Sequence, residues 1–340
     1  MRALPPLPDR PWLRDDVPWA WRDDDTVQVG DADRRTLLPG VTPAIGEWLM
    51  SLRGDRSLRA ALAAARVAGL TVPAARRLLR ALLRTGILDD AAAMPESLRS
   101  AHPLVREQLA HDLAAARQVH GSARAAAQAL DRRRAAIVSV HGSGPTADAV
   151  CVILGQAGVG TVLREAPGSS SSRRHRRASD QRAAAVLADA VHPDVIDDLG
   201  AISLDLPHVP VLAHGARAVI GPFVVPGLTG CLRCADLHAR DADAAWPRLA
   251  VQWASRRPAC SPADSALAQL AASWAALAVL SWIESDGPGA LREGRWPRGW
   301  PESGGALVGG RLVVRLPGGV MSREPRSPHP LCGCRWPAAA

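Results

Sequence analysis

Ala135-Ala-Ile-Val-Ser-Val-His-Gly142-Ser-Gly144-Pro-Thr-Ala147 is the stretch whose reading decides the fold. A short apolar run leads into Gly-x-Gly-x-x-Ala, and an Ala/Val/Leu-rich segment then continues to Gly158. A second run, Thr161–Arg164, ends at Glu165. Strand, glycine turn, helix and strand in that order predict the opening βαβ unit of a Rossmann-type sheet. Glycines at 142 and 144 permit a tight turn and let a phosphate approach the helix N-terminus, which makes both of them candidate nucleotide-binding residues. Glu165, at the tip of the second strand, stands where a ribose-binding carboxylate lies in such units.

Downstream, Ala184–Leu187 predicts a third strand, ending at Ala188-Asp189. A helix from Asp194 to about Leu204 and strands at His208–Ala213 and Ala216–Ile220 complete a mixed sheet. Ser169-Ser-Ser-Ser-Arg-Arg-His-Arg-Arg177, between the second and third strands, is of low complexity and reads as a solvated loop. Ala266–Ile283 approaches the length of a membrane span. Gln269, Ser273 and Ser281 within it, and Asp264 and Glu284 at its ends, mark it as a buried core helix, so no membrane partner is expected.

The six cysteines include two close pairs far apart in the chain. Cys231-Leu-Arg-Cys234 follows the turn-rich Pro226-Gly-Leu-Thr-Gly230, and Cys332-Gly-Cys334 lies near the C-terminus. Two such turns can close a tetrahedral four-sulfur site around Zn²⁺, and structural zinc on Cys231, Cys234, Cys332 and Cys334 is the expectation. A redox pair is the alternative for the first two, although that motif normally opens a helix after a thioredoxin-type strand. Disulfides would need an oxidising compartment. Met1–Asp16 has no apolar run of the export-signal type, and Cys151 and Cys260 stand alone, which together suit a reducing cytoplasm.

The 340-residue length implies two domains, and the 47% hydrophobic content supplies a globular core. The chain has no Lys, Asn or Tyr, so Arg alone carries its net charge of +8 and favours contact with phosphate, carboxylate or nucleic acid. Before the βαβ unit, Pro18–Asp23, Thr26–Gly30 and Arg34–Leu38 read as short strands. Helices at Pro43–Leu52, Ser57–Ala68 and Val72–Arg84 follow, the first beginning after the cap residue Thr42. Strands and three helices in this order form a winged-helix-like module over residues 1–92. Pro95–Arg134 reads as one or two amphipathic helices, making 93–134 a helical linker to an α/β domain over 135–340. Arg76, Arg77, Arg80 and Arg84 on the third helix fit a DNA-recognition helix and equally a solvated helix face. The same architecture can take an extended peptide along its sheet edge.

Taken together these parts resemble the ThiF/E1-like adenylyltransferase superfamily. The residues that carry the resemblance are the glycine turn, the strand ending at Asp189, Gly221-Pro-Phe-Val-Val-Pro-Gly227, Gly230-Cys-Leu-Arg-Cys234, the long apolar helix and His329-Pro-Leu-Cys-Gly-Cys334. The closer similarity is to the cyclodehydratase C proteins, or precursor leader-peptide-binding proteins, of thiazole/oxazole-modified peptide biosynthesis. That resemblance implies a Rossmann-like E1-type sheet with a structural zinc site, and an N-terminal module that binds a precursor leader peptide along Arg34, Thr36 and Leu38. It also implies a YcaO-type partner enzyme and, by analogy, a homodimer. ATP and Mg²⁺ would be held by Gly142, Gly144 and Glu165, with Asp189 at the magnesium position. Against adenylation, the chain has no Lys, and a Ser/Arg loop stands where the triphosphate segment belongs. Cys260 does not match the family nucleophile and reads as a loop or core thiol, so no catalytic residue is assigned. A non-catalytic leader-peptide scaffold is the expected function. An active adenylyltransferase and a winged-helix DNA-binding regulator are the alternatives, nucleic acid being the less expected partner.

Overall fold

The structure, a computed structural model, describes residues 6–14, 17–30, 35–93, 98, 102–165, 182–188, 206–255, 262–292 and 305–334. Arg34, Asp189, Cys260, the Ser169–Arg177 run and the helix expected at 194–204 lie outside them. The chain divides into two compact units, Met1–Asp131 and Arg132–Ala340.

In the first unit, β1 (Pro11–Leu13) is followed by β2 (Trp19–Trp21), β3 (Thr26–Val29) and β4 (Thr36–Pro39). The last three form an antiparallel sheet in the order β2-β3-β4, so β4 is an edge strand. Helices α1 (Pro43–Met50), α2 (Leu58–Val67) and α3 (Val72–Arg84) come next. Each begins at a hydroxyl cap: Thr42, Ser57 and Thr71 accept from the amides of Ile45, Ala60 and Ala74. Proline occupies the first turn of α1 and α3, where its missing N–H costs nothing. The apolar faces meet in a core of Val27, Leu38, Trp48, Leu49, Leu79 and Leu82, and the Trp48 indole donates to the Ala61 carbonyl at 2.9 Å, tying α1 to α2.

Beyond α3, β5 (Leu88–Asp90) returns to pair antiparallel with β1. Residues 93–131 group with this unit. Among the described residues they hold α4 (Pro103–Gln108), α5 (Ala110–His120) and the start of α6 (Ala123–Ala135), a more broken stretch than the one or two helices expected. The additional break has a local cause. Gly121 at φ +75° ends α5 in the left-handed conformation, and Ser122 at once caps the next helix through the Ala125 amide. Arg117 of α5 lies 4.2 Å over the Trp12 ring and 3.8 Å from Asp89, joining these helices to the β1–β5 ribbon.

The second unit is built on a seven-stranded mixed sheet. Its strands are β6 (Ile137–His141), β7 (Thr161–Glu165), β8 (Arg182–Ala188), β9 (His208–His214), β10 (Arg217–Ile220), β11 (Gly310–Arg315) and β12 (Val320–Pro325), in the order β12-β11-β10-β9-β8-β6-β7. Strands β7, β6, β8 and β9 run parallel, whereas β9 to β12 form an antiparallel meander. Helix α7 (Pro145–Gln156) links β6 to β7, α8 (Leu232–Ala242) and α9 (Trp246–Ser255) follow β10, and α10 (Ser265–Glu284) packs against α7 and the sheet.

The sequence of α10 explains that packing. Ala271, Ala272, Ala275 and Ala276 are completely buried, and such small side chains let helix and sheet approach closely. Among the described residues α10 alone has the length and hydropathy of a membrane span, and 61% of its apolar window is buried inside the protein, as a core helix requires. Trp282 near its end is fully buried, donates to the Ala183 carbonyl at 3.0 Å and stacks at a tilt on Phe223. Glu284 meets the Arg133 guanidinium, whose Nε donates at 2.7 Å, and Arg133 also donates to the Ala157 carbonyl at 3.0 Å.

Candidate functional site

The four paired cysteines converge, bringing residues a hundred positions apart onto one site. Thr229 hydrogen-bonds the Val225 amide at 2.8 Å and so closes the loop that delivers Gly230-Cys231. A Cβ on Gly230 would stand 3.1 Å from the Pro328 nitrogen, so glycine there allows the C-terminal segment to run alongside. Cys231 occupies the N-cap position of α8 and Cys234 its first turn. On the other side Gly333 adopts φ +70°, the left-handed turn that lets a one-residue spacer aim Cys332 and Cys334 at the same point.

The sulfurs of Cys231 and Cys234 are 3.8 Å apart, Cys231 and Cys332 3.4 Å, and Cys234 and Cys334 3.3 Å, with all four within 4.8 Å of one another. Metal–sulfur bonds of about 2.3 Å in a tetrahedron require sulfur–sulfur edges of about 3.8 Å. The cluster therefore has the dimensions and donor chemistry of a structural metal site. Burial pushes the Cys332 thiol far up, with the Cys231 and Cys234 sulfurs adding to it, and Cys334 rises to about 11 through burial and its contact with Cys234. Cys234 shifts down: burial opposes its ionisation, but hydrogen bonding to the His329 backbone and the Cys334 thiol outweighs it. Four thiolates this close repel one another, and a divalent cation together with the positive end of α8 would offset that charge.

His329 holds the segment carrying the second pair. Its Nδ1 accepts from the Leu331 amide at 3.1 Å, which places the ring proton on Nε2, 2.7 Å from a carboxylate oxygen of Asp241. That hydrogen bond from His329 draws the Asp241 carboxyl below its ordinary value. The His238 ring meets His329 edge-on at 4.7 Å and reaches the Ser327 carbonyl at 3.1 Å. Motif reading singled out His329 only as a flank of the cysteines and passed over Asp241 and His238. The spacing of a histidine two residues before an amide it caps was the one local signal for the first of these.

At the glycine turn, Gly142 and Gly144 adopt φ +124° and +96°, with Gly144 immediately before α7. Gly142 is also required by packing, since a Cβ there would lie 2.0 Å from the Ala188 carbonyl oxygen. Its amide donates to the Glu165 carbonyl at 3.2 Å, and its own carbonyl accepts from Arg164 Nε at 3.0 Å. The Arg164 guanidinium pairs with Asp148 in the first turn of α7 at 2.9 Å and reaches the Cys151 sulfur at 3.6 Å. The Glu165 carboxylate stands 3.4 Å from His141 Nδ1. The structure thus sets Gly142 beside Glu165 through their backbone, with Gly144 heading α7, and adds an ion pair, Arg164–Asp148, that the sequence reading did not anticipate.

Of the residues expected to take a peptide, Thr36 and Leu38 lie on the edge strand β4. Leu38 is buried in the core and Thr36 is half-buried, while Leu37 between them is 46% exposed.

No protein-family model and no curated protein matches the chain. Solved structures do match. The heterocyclase TruD superposes with a TM-score of 0.63 at 17% identity, over 96% of this chain and 43% of TruD. The microcin C7 biosynthetic enzyme MccB, in complex with N-formylated MccA, gives a TM-score of 0.58 at 15% identity, over 96% of this chain and 99% of MccB. The chain has the TruD and MccB fold. E. coli MccB with ATP matches equally, with a TM-score of 0.58 at 15% identity over 95% of this chain and 99% of MccB. The chain thus spans well under half the length of TruD and essentially all of MccB. The α/β class with a mixed sheet expected from the sequence is borne out at the level of fold.

Proposed function

We propose that this protein is a leader-peptide-binding, partner-docking scaffold of a ribosomal-peptide modification pathway of the thiazole/oxazole class, and that it does not adenylate. The observation that carries this is a TruD/MccB fold in which an Arg164–Asp148 ion pair stands beside the glycine turn. In a working nucleotide site the turn and the first turn of the following helix present amides and cations to phosphate. Here Asp148 places a carboxylate on that turn and Arg164 is committed to it and to the Gly142 carbonyl. Together with the absence of Lys, this supports loss of the triphosphate chemistry.

In this reading the winged-helix-like first unit takes an extended leader peptide along β4, whose outer edge has no strand partner among the described residues. Arg34 and Asp189, outside the described residues, keep their expected roles beside the peptide and at a vestigial magnesium position. The second unit would hold zinc on Cys231, Cys234, Cys332 and Cys334 as a structural clamp and dock a YcaO-type enzyme in the cytoplasm, with homodimerisation by analogy. That one neighbour was solved with a peptide substrate, MccA, supports the peptide reading.

The test is photo-crosslinking from a benzophenone side chain at the exposed Leu37. A precursor peptide encoded beside this gene is expected to crosslink there, and crosslinking with the YcaO-type protein but never with the peptide would refute the reading.

A second reading, an ATP-dependent adenylyltransferase, is favoured by the intact strand–glycine–helix geometry at Gly142 and Gly144. It requires pyrophosphate exchange that depends on Gly144.

A further inference from the structure

The first unit carries a recess of about 630 Å³ at the head of β4. Four arginines line it: Arg35 beside β4, Arg84 in the last turn of α3, Arg14 just after β1, and Arg117 of α5. Among the described residues that line it none is a carboxylate. Arg14 and Arg117 are only 6% and 5% exposed and are held in place, Arg14 by donating to the Gly86 carbonyl at 3.0 Å and Arg117 by Trp12 and Asp89. Arg35 and Arg84 stand exposed at the rim. The carbonyl ends of α3, at Thr85–Gly86, and of α5, at Gly121, also border the recess. Each contributes about half a negative charge, and Asp89 offsets the Arg117 guanidinium, which leaves positive charge in excess among the described lining residues. The recess is therefore a cationic site built partly from buried, prepositioned arginines.

We propose that this recess receives the carboxylate side chains of an acidic peptide segment that runs along β4. The inference rests on the reading that an extended peptide adds to that edge, and it names the chemistry of the peptide. Three features favour a peptide over nucleic acid. The site is concave, with the volume of a pocket for a small group of atoms. It opens beside a strand edge, whose alternating main-chain donors and acceptors a peptide can match along its length and a phosphate backbone, which has acceptors alone, cannot. Leu37, exposed on the same strand though outside the recess, offers an apolar contact to a peptide along β4. The wall formed by Arg117, Gln118 and Gly121 comes from α5, so the recess needs residues beyond the winged-helix-like segment itself.

Fluorescence anisotropy on the full chain tests this with three labelled probes: a short peptide alternating Glu and Leu, the same peptide with Gln for Glu, and a DNA duplex. The Glu peptide is expected to bind about tenfold or more tightly than the Gln peptide, the worth of charge-assisted hydrogen bonds. Arg35→Ala with Arg84→Ala should erase that preference. Arg76→Ala with Arg77→Ala, also exposed but outside the recess, should leave it intact. Equal binding of the two peptides, or a preference that survives loss of Arg35 and Arg84, would overturn the charge assignment while leaving peptide addition at β4 standing. Binding of the duplex alone, with no crosslink at Leu37, would remove both.

Discussion

If the cluster holds zinc as proposed, serine at both Cys332 and Cys334 is expected to abolish its binding and to destabilise the second unit severely. The two sulfurs lie 3.4 and 3.3 Å from those of Cys231 and Cys234, so half of the donor set would vanish. The remaining pair, 3.8 Å apart, cannot complete a tetrahedron. Structural zinc in small domains binds with about 10–16 kcal/mol of apparent free energy, much of it folding free energy. This unit has its own alanine-rich core around α10 and the seven-stranded sheet, so only part of that falls on its stability. A third of it, about 4 kcal/mol, would lower the midpoint of thermal unfolding by about 10 °C in a unit of this size. Zinc content per chain and thermal unfolding, measured together, check both halves of the expectation. A wild-type protein that is fully folded with no zinc, and a double variant that melts at the same temperature, would show the cluster to be something other than a structural metal site.

Gly142→Ala is expected to be nearly as damaging, for reasons unrelated to any nucleotide. The added methyl would sit 2.0 Å from the Ala188 carbonyl oxygen and 2.9 Å from its carbon, against backbone at the end of β8 that cannot swing aside. The φ of +124° is itself unfavourable for any residue with a Cβ. Strain and overpacking each cost about 1–3 kcal/mol, so a loss of about 3 kcal/mol or more is expected, measurable by denaturant unfolding. Gly144→Ala carries the backbone strain at φ +96° and should cost less. The contrast matters for function, because a Gly142 variant that loses an activity reports on packing before it reports on phosphate. An unfolding midpoint for Gly142→Ala equal to wild type would contradict the close approach of the turn to β8.

Local pattern explains what could be read in the sequence. The βαβ unit was expected as Ala135–Val140, a helix to Gly158 and Thr161–Arg164, and it stands as Ile137–His141, Pro145–Gln156 and Thr161–Glu165. Each of those boundaries is set by a glycine, a proline or the end of an apolar run, all visible within a few residues. The β11–β12 hairpin escaped notice because charge interrupts its pattern. Arg311, 6% exposed within β11, is satisfied by Glu324 on the opposing strand at 2.8 Å, a pairing that no window on either strand reveals. Strands β1 and β5 are three residues each and pair across most of the first unit. At the candidate sites the residue types were legible and the geometry was not. The cysteines advertised themselves, but the left-handed Gly333 that brings the second pair into register did not. Nothing near Asp148 signalled Arg164, which reaches it from the next strand.

Hydrogen exchange of the full chain, with precursor peptide, ATP–Mg²⁺ and duplex DNA added in turn, tests the central claim most directly. Slowed exchange of the β4 amides Thr36–Leu38 is expected on adding peptide, and no change at Gly142–Ala147 on adding ATP. Protection of the glycine turn by ATP with none at β4, or protection of α3 by duplex alone, would contradict it.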